Sequence, residues 1–190
     1  MPKTALVILS SPRKGSNSSA LGQAVAEGFT RAGGEAECLD LSRLDIKPCL
    51  ACNACQRNGG RCAQIDGMFN VYPKIKTAAV LVLATPVYWF SMSAQLKIFL
   101  DRCYALLAPT EDGAPPLAGK TLAAALSYGD KDLDSSGARN AIRIFEDICH
   151  HCQAAWGGFV HGSATERDTF VNDQKILGKA RALGKKLFGS

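Results

Sequence analysis

A short apolar run near the start of the chain ends abruptly in a loop rich in hydroxyl side chains. The run Thr4–Leu9 does not alternate between apolar and polar residues, which predicts a β-strand covered on both faces, as in a parallel sheet. Two serines and a segment of Ser, Pro, Arg, Lys, Gly and Asn residues follow, and then a helical pattern begins. Such a junction can bind a phosphate through loop hydroxyls, unpaired N–H groups and the positive end of the helix dipole. The plain alternative is an ordinary turn in which Ser16, Asn17 or Ser18 caps the helix.

Five strand patterns alternate with helical patterns along the chain. They are Thr4–Leu9, Glu35–Leu41, Ala79–Ala84, Thr121–Leu126 and Ala154–Val160. This alternation favours right-handed crossovers and a parallel sheet with helices on both faces. We therefore expect one α/β domain over residues 1–190, with a doubly wound, five-stranded parallel sheet in the flavodoxin-like order 2-1-3-4-5. A ligand is expected beyond the carboxyl ends of the strands, where four unusual loops would meet: Ser10–Ser18, Pro48–Ile65, Thr85–Met92 and Ser127–Gly137.

Charge and hydropathy exclude two classes of partner. The 22 basic and 17 acidic residues give a net charge of +5. Much of the excess is dispersed or lies in Lys175–Lys186, which has no interleaved aromatics, so we expect no nucleic-acid partner. No apolar run approaches the roughly 20 residues that a membrane span needs. We therefore expect a cytoplasmic protein whose eight cysteines stay thiols or bind metal rather than form disulfides.

Three consecutive aromatic residues leave the predicted central strand at the expected ligand edge. Tyr88, Trp89 and Phe90 could pack in the core, pack at a subunit interface, or line a flat apolar ligand. Beside a phosphate-binding loop, the third alternative describes FMN, a flat ring system tethered by a phosphate.

Three blocks of the sequence, in order, resemble the NAD(P)H-dependent FMN reductase and iron–sulfur flavoprotein group. The blocks are Ser11–Ser18, Thr85–Trp89, and Ser93–Lys97 with Phe99–Arg102. The resemblance implies that FMN carries the redox chemistry, that NAD(P)H can donate electrons, and that no side chain acts as a catalytic acid or base. It implies FMN-binding residues Ser11, Arg13, Ser16, Asn17, Ser18, Pro86, Val87, Tyr88, Trp89, Phe90, Ser127, Tyr128 and Gly129. It also implies a homodimer or homotetramer with FMN near a subunit interface, and we expect Ala108–Pro116 to reach the neighbouring subunit.

Four cysteines lie in one predicted loop, inserted after the second strand at about residues 48–65. Their spacing is Cys49-x2-Cys52-x2-Cys55-x6-Cys62, which suits a [4Fe-4S] cluster and resembles the compact motif of iron–sulfur flavoproteins. A zinc ion bound by the same sulfurs, and a loop without metal, remain as alternatives. The other four cysteines are expected elsewhere in the fold. We expect Cys38 and Cys103 to be buried small hydrophobes, and Cys149 and Cys152 to lie at a helix end.

Together these features predict an FMN-dependent oxidoreductase that passes electrons between FMN, a [4Fe-4S] cluster and a small-molecule or protein partner. Two alternatives remain open at this point. One is a cluster-free NAD(P)H-dependent FMN or quinone reductase, and the other is a non-catalytic, flavodoxin-like electron carrier.

Overall fold

The computed structural model describes residues 2–108 and 117–190 of the chain. The strands are β1 (Thr4–Leu9), β2 (Glu35–Asp40), β3 (Val80–Tyr88), β4 (Ser91–Met92), β5 (Thr121–Tyr128) and β6 (Ala155–Ser163). The α-helices are α1 (Asn17–Arg31), α2 (Ala54–Arg57), α3 (Val71–Thr77), α4 (Ala94–Arg102), α5 (Ala138–Cys152) and α6 (Gln174–Gly189). Three 3₁₀ helices span Leu41–Arg43, Gly67–Asn70 and Cys103–Leu107. Most of the excursion Ala108–Pro116 lies outside the described residues.

The sheet confirms the predicted fold. Its five parallel strands run in the order β2-β1-β3-β5-β6, which is the expected flavodoxin-like order with β4 counted separately. The prediction that residues 85–92 form only a loop is wrong. Strand β3 continues to Tyr88, the chain reverses through Trp89 and Phe90, and β4 pairs antiparallel with β3. The sixth strand is therefore a short hairpin arm that projects from the carboxyl end of the central strand.

Both faces of the central strands β1, β3 and β5 are buried, as their uninterrupted apolar runs predicted. Along β1, Leu6 and Ile8 pack into the core on the α3, α4 and α5 side. Ala5, Val7 and Leu9 pack into the second core, under α1 and α6. A parallel strand of this kind has no polar face because crossover helices cover each side. Within the described residues, no helix is long and apolar enough to cross a membrane.

Candidate functional site

A buried cluster of hydroxyl groups fixes the two loops that leave β1 and β3. Ser93 Oγ lies 3.0 Å from both the carbonyl and the hydroxyl oxygen of Ser10, and the Ser10 hydroxyl donates to the Ala84 carbonyl at 2.9 Å. The Ser93 N–H donates to Thr85 Oγ1 at 3.0 Å. Ser10, Thr85 and Ser93 are fully buried. We call these three residues the hydroxyl anchor; they hold the end of β1 against the start of α4.

A cleft of about 190 Å³ opens at the carboxyl edge of the sheet, where the sequence placed a ligand. We call it the edge cleft. Of the predicted FMN-binding residues, all but Ser18, Trp89 and Phe90 line it. The lining residues are Ser11, Arg13, Ser16, Asn17, Pro86, Val87, Tyr88, Ser127, Tyr128, Gly129, Ala164, Thr165, Glu166 and Arg167. Three loops that are far apart in the sequence thus meet as predicted.

The loop after β1 forms one wall of the edge cleft. Ser16 is the N-cap of α1, and its hydroxyl oxygen accepts a hydrogen bond from the Ser19 N–H at 3.2 Å. Ser18 is fully buried behind the cap, and its hydroxyl lies 3.4 Å from that of Ser16. Arg13 is exposed and forms no ion pair with any carboxylate among the described residues. Ser16 therefore caps the helix, and Arg13 offers a charge at the rim that pairs with no described carboxylate.

The Asn17 side chain, which lines the edge cleft, also makes two hydrogen bonds within the protein. Its side-chain amide donates to the Glu166 carbonyl at 2.7 Å and accepts from the Phe170 N–H at 2.9 Å. Both polar ends of this buried side chain therefore hold the loop after β6. Sequence reasoning missed that loop, residues 164–167, as a wall of the edge cleft. The signal was present, because the loop leaves the carboxyl end of the last parallel strand and must lie at the same edge.

The aromatic hairpin, residues 88–91, stands at the mouth of the cleft. Trp89 and Phe90 both have positive φ, 47° and 63°, which is the backbone of a two-residue type I′ hairpin. Asn140 Nδ2 donates to the Phe90 carbonyl at 3.1 Å, and a Cβ on Gly137 would lie 2.5 Å from Phe90 Cα. With Val87, Tyr128 and Gly129, these aromatics line a second cleft of about 240 Å³. Trp89 is 93% exposed.

Tyr128 and His161 form a polar pair next to the edge cleft. Tyr128 Oη lies 2.8 Å from His161 Nδ1, and the two rings are stacked with their centroids 5.8 Å apart. Burial raises the pKa of Tyr128, with a further rise from Asp132. Burial lowers the pKa of His161, and the charge of Lys179 lowers it further. The neutral forms of both groups are therefore favoured.

The segment that carries the four cysteines, residues 48–65, is called here the cysteine segment, and it does not lie at the ligand edge. Cys49 lines an apolar cavity of about 790 Å³ together with Leu81 and Leu122, which lie near the amino ends of β3 and β5. Gln56 Nε2 donates to the Tyr104 carbonyl, just beyond α4. The expectation that this segment joins the other loops beside the phosphate-binding loop is therefore wrong. It lies on one face of the sheet, because contacts with the end of α4 direct it there.

The donor set of the cysteine segment fits an iron–sulfur cluster in its chemistry. Four thiols lie between positions 49 and 62; Cys49 and Cys52 are exposed, and Cys55 and Cys62 are half-buried. A buried guanidinium, Arg102, lies beside Cys62, and its Nε lacks any hydrogen-bond partner among the described residues. Over those same residues, no three His, Cys, Asp or Glu side chains converge on one point. The thiols are thus present in one segment but are not gathered into a finished site.

The remaining cysteines are only partly as expected. Cys149 and Cys152 lie in the last turn of α5, as predicted, and both are buried. Cys103 is half-buried, and its surroundings raise the thiol pKa to about 12, mainly through burial. Cys38 is exposed, so its assignment to the core is wrong. The reason is that β2 is an edge strand whose residues remain exposed or only partly covered.

Comparison with known proteins gives a consistent result. The family model described as NADPH-dependent FMN reductase matches residues 4–157. An iron-sulfur flavoprotein from Methanocaldococcus jannaschii is 35% identical over 183 residues, which cover 95% of this chain and 93% of that protein. One from Archaeoglobus fulgidus is 29% identical over 185 residues, covering 96% of this chain and 78% of that protein. The structure of an NAD(P)H:quinone oxidoreductase from Methanothermobacter marburgensis matches with a TM-score of 0.75 at 19% identity, covering 98% of this chain and 96% of that one, which supports the fold alone.

Proposed function

The chain belongs to the NADPH-dependent FMN reductase family, and on that premise we propose that it passes electrons between FMN in the edge cleft and a [4Fe-4S] cluster on the cysteine segment. Membership of the family makes the protein a flavin-dependent oxidoreductase. The observation that carries the proposed FMN site is that the loop after β1, residues 86–88 and the loop after β5 line one cleft.

The residues that line the edge cleft support FMN as its ligand. Arg13, the Ser11 hydroxyl and the first N–H groups of α1 would hold the phosphate. The backbone of residues 86–88 and of residues 127–129 would face the isoalloxazine ring. The bound flavin supplies the redox chemistry, and the protein supplies its position and the polarity around it. NAD(P)H is the proposed electron donor.

The cluster proposal is supported by the cysteine spacing and by relatives that are named iron-sulfur flavoproteins. Cys49, Cys52, Cys55 and Cys62 would be its ligands. None of the eight cysteines is in a disulfide, which agrees with a reducing compartment such as the cytoplasm. Electron partners are proposed to be a small molecule or another protein.

The test is anaerobic purification and reconstitution, followed by flavin, iron, sulfide and zinc analysis. We expect one FMN and a four-iron cluster per chain. Alanine at any of the four proposed ligands is expected to remove iron and leave FMN bound, because the edge cleft is built from other loops. Alanine at Cys149 or Cys152 is the matched control and should leave iron unchanged. Reconstituted protein that binds FMN but no iron above background would contradict the cluster and support the cluster-free reductase. Protein that binds FMN but does not oxidise NAD(P)H would support the non-catalytic electron carrier.

A homo-oligomer is proposed from the aromatic hairpin. Tyr88, Trp89 and Phe90 are all exposed, and contiguous aromatic surface of this kind is seldom left in water. We expect the wild-type protein to sediment as a dimer or tetramer at micromolar concentration, and Trp89→Asn to weaken that assembly. A wild-type monomer at that concentration would contradict this part of the proposal.

A further inference from the structure

The last residue of α4 is a charged side chain that is almost completely buried. The Arg102 side chain is 1% exposed, and that of its partner Asp66 is 2% exposed. The contact is bidentate: Arg102 Nη1 lies 2.5 Å from Asp66 Oδ2, and Nη2 lies 3.1 Å from Oδ1. Removing two charges from water costs several kcal/mol per ion, so a buried pair adds little stability by itself. The role of this ion pair is therefore to be found in the segments that it holds in place.

The pair closes the base of the cysteine segment. Arg102 Nη1 donates to the Lys47 carbonyl at 2.8 Å, immediately before the segment. Asp66, immediately after it, accepts from the Lys47 N–H at 3.0 Å and from the Met68 N–H at 3.0 Å. Burial tends to raise the pKa of Asp66, but the hydrogen bonds from Arg102, Lys47 and Met68 outweigh it and keep that pKa low. Two charged side chains therefore clamp both ends of an 18-residue segment, positions 48–65.

Only one of the four cysteines in that segment is touched by the clamp. Arg102 Nη2 lies 3.5 Å from Cys62 Sγ and donates toward it. Cys49 and Cys52 are exposed, and the residues around Cys52 have left-handed backbones, with φ of 52° at Ala51 and 55° at Asn53. Cys62 is thus held by a buried cation, while Cys49 and Cys52 lie on a surface stretch.

We propose that Arg102 is a positioning residue for the iron–sulfur cluster, and this inference rests on the proposed function. With Asp66 it holds the two ends of the cysteine segment together and fixes the position of Cys62. The other three cysteines then complete the set of cluster ligands around Cys62. Its N–H donated to the Cys62 sulfur, together with its positive charge, raises the reduction potential of the cluster. Hydrogen bonds to the sulfurs and the local net charge are the two levers by which proteins set such potentials.

Two substitutions are expected to shift the reduction potential of the cluster in opposite directions. Arg102→Lys keeps the charge and a contact with Asp66, but an ammonium lacks the planar fork that reaches Asp66 and Cys62 together. Asp66→Asn keeps an oxygen acceptor for Arg102 but leaves the guanidinium charge without its counter-charge. We therefore expect the cluster's midpoint potential to fall in Arg102→Lys and to rise in Asp66→Asn. Arg143→Lys is the matched control, because Arg143 forms an exposed ion pair with Asp147 on α5.

The experiment is anaerobic reconstitution of each variant, with iron and FMN per chain, thermal unfolding, and an EPR-monitored redox titration. The inference is supported if both variants have the iron content of the wild type and their midpoint potentials shift in opposite directions. It is also supported if Arg102→Lys loses iron but retains FMN. A folded Arg102→Lys protein with wild-type iron content and potential would overturn the inference. So would the same loss of iron and FMN in both variants, since that marks a purely structural role. Wild-type protein without iron would instead overturn the proposed function.

Discussion

The charge of Arg13 gives the sharpest test of how the edge cleft binds FMN. Arg13 lies exposed at the rim and pairs with no carboxylate among the described residues, so Arg13→Ala breaks no ion pair and buries no unpaired group. Surface changes of this kind alter the free energy of unfolding by about 0.5 kcal/mol or less. A hydrogen bond to a charged group contributes about 1.5–3 kcal/mol, and exposure to solvent places Arg13 at the low end. About 1.5 kcal/mol corresponds to roughly tenfold weaker binding of FMN.

The assay is a fluorescence titration of flavin-free protein with FMN and, separately, with riboflavin. Riboflavin lacks the phosphate, so its dissociation constant should be the same for wild-type protein and Arg13→Ala. Lys14→Ala is the matched control, because Lys14 is the adjacent exposed cation but does not line the cleft. The tenfold difference should shrink at high ionic strength, where exposed charges are screened. Unchanged FMN affinity in Arg13→Ala, or an equal loss for riboflavin, would refute the assignment of the phosphate end.

Two further predictions concern the walls of the clefts. Gly137→Ala should lower the free energy of unfolding by about 1–3 kcal/mol, because φ there is +75° and the new Cβ would meet Phe90 Cα at 2.5 Å. Gly178→Ala, on open helix surface, is the control and should raise the free energy of unfolding by about 0.5–1 kcal/mol. Urea unfolding curves that show a change of the same sign for both variants would contradict this prediction. Because the pKa of His161 is lowered in the folded state, its contribution is complete above the usual value of 6.5 and is lost as the pH falls from there through the folded pKa. His161→Gln should flatten that part of the stability profile, and an unchanged slope between wild type and variant would show that another group titrates there.

The sheet could be predicted because its information is local. The strands β1, β3 and β5 are uninterrupted apolar runs, and their alternation with helices favours the common flavodoxin-like order, which places the polar loops at one edge. The hairpin at Trp89 and Phe90 could not, because hairpin turns with two positive φ angles are normally signalled by Asn or Gly. Its conformation depends on Gly137 and Asn140, which are distant in the sequence.

The position of the cysteine segment was beyond sequence reasoning for a similar cause. Chain order places it after β2, and so at the ligand edge, but the contact between Asp66 and Arg102 joins residues 36 positions apart. Nothing in the hydropathy pattern marks those two side chains as a buried pair. The role of Asn17 was hidden in the same way, since its partners, Glu166 and Phe170, lie about 150 residues further along the chain.

The hydroxyl anchor has a thermodynamic consequence for cofactor exchange. The hydrogen bonds described for Ser10, Thr85 and Ser93 are made to protein atoms alone, so the two main walls of the edge cleft need no ligand to hold them. Ordering a backbone costs about 1–2 kcal/mol per residue, and a loop that folded around its ligand would subtract that cost from the affinity. Here the cost has already been met in folding. We therefore expect the ends of β1 and β3 to keep their positions in flavin-free protein, so that FMN binding need not order them.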